Sequence, residues 1–171
     1  MAQILTGPFK NQASNQARDT PNGKREILYN PVNMVTLDIG FVMVILAFCG
    51  LFKENFLGLN LSDMHCWVLA AGGCLGIWGG FTPERKLAVR INFAVGIFFV
   101  LNGIVGFLVG EPGLDQGVVN VPDEMVLKIA PGFLELSTID HTLHSIVGVL
   151  FLIEAFAYIY KIRHPKTDTM R

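Results

Sequence analysis

Positive charge is distributed along this chain by a rule that leaves one topology. Of its thirteen Lys and Arg residues, four precede the first long apolar run, three separate the second run from the third, and four follow the last. The other two connections hold Lys53 and Lys128 alone. Basic loops resist export across a bilayer, so strict alternation of this kind predicts four crossings with both termini cytoplasmic.

The apolar runs are 36–52, 64–81, 91–109 and 143–160, of 17, 18, 19 and 18 residues. A helical span needs roughly 17–25 apolar residues. Charged residues make up 16% of the chain, against about 25% in an ordinary soluble domain. A soluble bundle would show a polar stripe on each helix, and these runs show almost none. The predicted fold class is therefore all-α: an integral membrane four-helix bundle of two similar helical hairpins. It divides into a polar cytoplasmic tail (1–34), a four-span domain (35–162) and a basic cytoplasmic tail (163–171). Residues 1–33 lack an apolar signal core and a small-residue cleavage site, so no secretory signal is expected. The outer connections hold two bases and eight acids, the cytoplasmic segments eleven bases and five acids.

Glycine spacing suggests a duplication. Gly40-x9-Gly50 in the first run recurs as Gly96-x9-Gly106 in the third. Runs two and four open on Ser62-Asp63-Met64-His65 and Thr138-Ile139-Asp140-His141, each with a hydroxyl N-cap, an acid in the first turn and a histidine three residues past the cap. The hairpins thus form a parallel repeat. Gly72, Gly76 and Gly80 form a double GxxxG for close helix packing in lipid, and Gly96 and Gly103 (with Gly110) form a stripe that could meet it. In the long outer connection 110–140, Pro122-Asp123-Glu124 reads as a helix start and Met125, Val126, Ile129 and Ala130 as one apolar face, predicting a short interfacial helix. Cys49 and Cys66 both fall near outer ends of their runs, where a disulfide is one option. The default reading of these two and Cys74 is small apolar filler.

Three histidines carry the cofactor expectation: His65, His141 and His144, all at the outer ends of runs two and four. His65 shares a helix face with Gly72 and His144 with Gly148. An imidazole above a glycine groove is what a flat tetrapyrrole such as haem or chlorophyll requires. The competing readings are a metal-ion site and plain interfacial hydrogen bonding. No metal site is predicted, because a zinc site wants three or four converging ligands. Glu154 lies ten residues past His144, about 15 Å along the helix. A mid-membrane carboxylate needs a partner or a proton, and Asn102 is the expected partner. No nucleotide loop, nucleophile triad or HExxH occurs, and the bases follow the membrane rule. Neither an enzyme nor a nucleic-acid binder is expected.

The stretches 59–65 and 139–148, with the basic turn Glu84-Arg85-Lys86, resemble a family of small four-span bacterial membrane proteins, a domain of unknown function. The resemblance covers roughly 36–160 and departs in the N-terminal tail, the long outer loop and Glu154. It implies topology more than activity. The expected role is a non-catalytic accessory subunit of a larger complex in a bacterial inner membrane or a related energy-converting membrane, in contact with lipid and other membrane subunits. The alternative is a small proton or solute carrier that uses Glu154.

Overall fold

The computed structural model describes residues 31–53, 55–115, 121–130 and 133–163. The predicted tails lie outside these residues, apart from 31–34 and Arg163, which belong to helices. The four apolar runs fold as α1 (Pro31–Gly50), α2 (Asp63–Phe81), α3 (Arg85–Val109) and α4 (Thr138–Arg163). Helices α3 and α4 outrun their apolar stretches, because the flanking residues, several of them polar, extend the same hydrogen-bond ladder. Pro31 suits the first helical position, where no N–H is needed. Pro83 follows the α2 cap at Thr82, whose N–H donates to Trp78 O, and bars continuation. The helices α2, α3 and α4 are long and apolar enough to cross a membrane, and α1 carries a shorter apolar stretch, Met34–Gly50.

The structure corrects the all-α expectation in the connections. Strands β1 (Asn55–Phe56) and β2 (Leu59–Asn60) form a hairpin whose turn residues Leu57 and Gly58 have φ of 56° and 81°. Positive φ at both positions is the twist a two-residue hairpin needs, and Gly58 adopts it without strain. The predicted interfacial helix is instead β4 (Val121–Ala130), the central strand between β3 (Glu111–Asp115) and β5 (Leu134–Leu136), antiparallel to both. β-branched Val126 and Ile129 favour the pleat, and Pro122, read as a helix start, sits near the start of the strand. Val126 and Leu136 are buried, and β4 and β5 pack on α2, α3 and α4.

Asp123 fastens this sheet to α4. Its carboxylate accepts the Met125 N–H and both the N–H and hydroxyl of Thr138, at the first turn of α4. Partial burial pushes its pKa up, but these donors favour the charged form and outweigh burial, holding it below the usual 3.8. A lowered folded pKa contributes stability that is present above the ordinary carboxylate value and lost as pH falls through the folded value. Asp123→Asn is therefore expected to lower the Tm at neutral pH and to match the wild type in acid below that pKa. Melting curves at both pH values check this, and a pH-independent gap would contradict it.

The helices pair as two hairpins, α1 along α2 and α3 along α4, whereas α2 and α3 touch over much less of their lengths. Glycine backbones make both pairings possible. A Cβ on Gly73 would sit 2.7 Å from Gly40 O, and one on Gly148 would sit 2.7 Å from Gly96 O and 2.5 Å from Val100 N. The expected meeting of the α2 and α3 glycine stripes is corrected. Gly96 and Gly103 receive α4, at Leu152 and Ser145, while Gly72 receives Phe99 and Met43, and Gly76 receives Phe151. Gly80 is also buried.

The two hairpins make like contacts, Gly40 on Gly73 and Gly96 on Gly148. Positions that match in the two hairpins meet: Asn92 Nδ2 donates to Thr36 Oγ1 at 3.0 Å, and Phe151 fills the space beside Gly76. The repeat register differs from the sequence reading by one residue at α4. Ser62 Oγ accepts the His65 N–H, and Ser137 Oγ, not that of Thr138, accepts the Asp140 N–H. The equivalent of His65 is therefore Asp140, neither His141 nor His144.

Candidate functional site

The first turns of α2 and α4 carry a buried polar centre. His65, Asp140, His141 and His144 are each at most 1% exposed. Asp140, at the positive end of α4, collects donors from both hairpins. Its carboxylate accepts the Ser137 N–H and hydroxyl at 2.8 Å each, and the Asn60 N–H at 3.3 Å to both oxygens. His65 Nδ1 lies 3.7 Å from Asp140 Oδ1 and 2.6 Å from Asn60 O. One hairpin's β2 and α2 are thereby tied to the other hairpin's α4.

The proton positions follow from these partners. A carbonyl only accepts, so His65 Nδ1 carries hydrogen. His65 Nε2 and His144 Nε2 are 3.1 Å apart, so one of them donates to the other. With His65 neutral, His144 donates through Nε2 and its Nδ1 is a bare acceptor. With His65 protonated beside Asp140, His144 accepts at Nε2 and carries hydrogen on Nδ1. In both states His144 Nδ1 is buried and has no hydrogen-bond partner among the described residues. The His144 ring is held edge-on to His65 and Phe99, with centroids 5.1 Å from each.

His141 belongs to a different contact. Its Nε2 donates to Met125 O at 3.0 Å in β4, and its ring presses on Gly106 with Phe107 alongside. The three predicted ligands are therefore split two and one. The residues do not fit a tetrapyrrole: both His65 nitrogens are engaged, and Phe99 and Met43 lie directly against Gly72, where a macrocycle would have to sit. The backbone of α3 occupies the groove beside Gly148. Among the described residues no three His, Cys, Asp or Glu side chains converge as a metal site requires. Cys49, Cys66 and Cys74 are free thiols, and the Cys66 thiol donates to Leu61 O.

A cavity of about 220 Å³ adjoins the pair, with His65, His144, Asn102 and Leu136 in its wall. Asn102 does not partner Glu154. Its Nδ2 donates to Phe98 O of its own helix. The antiparallel register of α3 and α4, with Phe93 against Phe156 and Gly96 against Leu152, sets Glu154 level with Ala94 and Val95, toward the opposite end. Glu154 is 8% exposed, and its Oε2 has no hydrogen-bond partner among the described residues.

Sequence reasoning missed Asp140 as the hub, and missed Asn60 and Ser137. A signal was present: Leu59-Asn60-Leu61-Ser62 recurs as Leu134-Glu135-Leu136-Ser137. Aligning those tetrads puts Asp140 opposite His65. No family model, no curated protein and no solved structure matches this chain.

Proposed function

We propose that this chain is a four-span integral membrane protein with both ends cytoplasmic, serving as a non-catalytic accessory subunit of a larger membrane complex. The observation that carries the reading is the use made of the buried polar groups. Asp140, His65, Asn60 and Ser137 lock one hairpin to the other, which is a structural task. Outward, large apolar side chains such as Phe41, Phe48, Trp78, Leu108 and Phe156 are exposed, as suits lipid or neighbouring membrane helices. The resemblance to small four-span bacterial proteins is consistent with this topology, and an energy-converting membrane is the proposed setting.

The carrier reading is less favoured. A proton or solute path from the His65–His144 pair to Glu154 would cross a core packed with Met43, Leu69, Phe99, Val147 and Phe151, all buried. That layer separates the polar centre from Glu154 by about 15 Å along α4.

Extraction from native membranes in a mild detergent tests the proposal. The chain is expected to migrate in a stoichiometric complex well above its own 18.8 kDa mass. A pure homo-oligomer showing pH-dependent flux in liposomes, abolished by Glu154→Gln, would replace the subunit reading with the carrier.

A further inference from the structure

The geometry points to a binding site for a lipid-soluble quinone or its quinol in the cleft between α2 and α3. Two neighbouring hollows lie there. The first is the cavity of about 220 Å³ beside His65 and His144. The second is a groove of about 300 Å³ lined by apolar residues and glycine, including Ala71, Leu75 and Ala94. Val68 and Phe98 line both. The groove exists because α2 and α3 are the loosely joined neighbours, each committed to its own hairpin partner. Its rim is exposed and apolar, with Leu75 and Phe98 at 40% and 49%, so a molecule dissolved in the bilayer can enter sideways. Ligand sites characteristically combine an apolar lining with a few placed polar groups.

The polar groups select the head. His144, 1% exposed, stands in the cavity wall with Nδ1 unpartnered. A buried nitrogen left in this way costs free energy that a ligand oxygen could recover. Asn102 lines the same cavity and commits one of its two amide hydrogens to Phe98 O. A six-membered ring with an oxygen at its edge suits this chamber, which is too small for a macrocycle.

The proton arithmetic of the pair narrows the class. With His65 neutral, His144 Nδ1 is an acceptor and takes a quinol hydroxyl. With His65 protonated beside Asp140, His144 Nδ1–H is a donor and takes a quinone carbonyl. One added proton at His65, with the hydrogen of His144 moving from Nε2 to Nδ1, converts one site into the other. A ligand whose oxygen is a donor in one form and an acceptor in the other matches both states. The inference rests on the membrane-spanning reading and goes beyond the accessory role.

The test uses the full chain in lipid nanodiscs and a decyl-substituted benzoquinone, oxidised and reduced, with tryptophan quenching read from Trp67 and Trp78. Saturable quenching at one ligand per chain is expected with both forms. Ala94→Phe fills the groove from an exposed position that folding does not need, and should weaken binding at least tenfold. His144→Phe should do the same, and decylbenzene, which lacks the ring oxygens, should not compete. Linear, non-saturating quenching, equal affinity in Ala94→Phe, or full competition by decylbenzene would each overturn the site. None of these outcomes alters co-purification with partners, so failure here is distinguishable from failure of the subunit reading.

Discussion

Gly148→Val is expected to prise α3 from α4 and unfold the second hairpin. The new Cβ would lie 2.5 Å from Val100 N and 2.7 Å from Gly96 O, and neither backbone atom can turn aside as a side chain can. Overpacking a side chain into a yielding core costs about 1–3 kcal/mol, and a backbone obstacle belongs at or above that range. Valine also adds branching at Cβ, where the crossing is tightest. The contrast with other glycines makes the test specific. A Cβ on Gly79 meets Ile91 Cγ2 at 3.2 Å, and one on Gly113 finds nothing nearer than 3.9 Å. Thermal unfolding in detergent should rank Gly113→Ala as wild type, Gly79→Ala as mildly destabilised, and Gly148→Val as failing to fold or melting far lower. Wild-type stability in Gly148→Val would mean that the α3–α4 crossing is looser than its geometry.

That crossing was partly legible in the sequence. Apolar run length set the helices, because burying or embedding 17 or more consecutive apolar residues leaves few other structures for them. The glycines of α1 and α3 marked close helix contacts, since Gly40 meets Gly73 as Gly96 meets Gly148. Their partners were not legible: helical spacing says which residues share a face, and says nothing of which helix that face meets. The β4 segment misled because a Pro-Asp-Glu start and an apolar face at helical spacing also fit a strand, and its pairing with β3 and β5 is a tertiary choice. At the candidate site His65 and His144 stood out by type. Asp140 did not, because an acid in a first turn has an ordinary explanation in the helix dipole. The one-residue shift from Thr138 to Ser137 as cap hid its equivalence to His65. Two adjacent hydroxyl residues can both read as the cap, and the hydrogen bond decides between them.

Asp140→Ala should be the most damaging substitution at the polar centre. It strands the Asn60 N–H and the N–H and hydroxyl of Ser137 without an acceptor, and takes the carboxylate away from His65. Leaving a buried donor without its acceptor costs about 1–3 kcal/mol, and three such losses are a large share of the stability of a chain this size. Asp140→Asn should cost less, because its amide oxygen still accepts while its amide hydrogens confront donors. A cycle with His65→Phe separates the two hairpins' contributions. If the residues act as a unit, the double variant should fall short of additivity by roughly 0.5–3 kcal/mol. Faster hydrogen exchange at Asn60 and Ser137 should accompany Asp140→Ala, and strict additivity with unchanged exchange would show that the two hairpins are held elsewhere. The identities at this position also explain why the halves of the repeat differ here. Equivalent residues face one another across the centre, so two aspartates would set like charges together in a buried site, and two histidines would leave the Ser137 and Asn60 donors without a carboxylate. One of each gives the donors an acceptor and the imidazole a counter-charge.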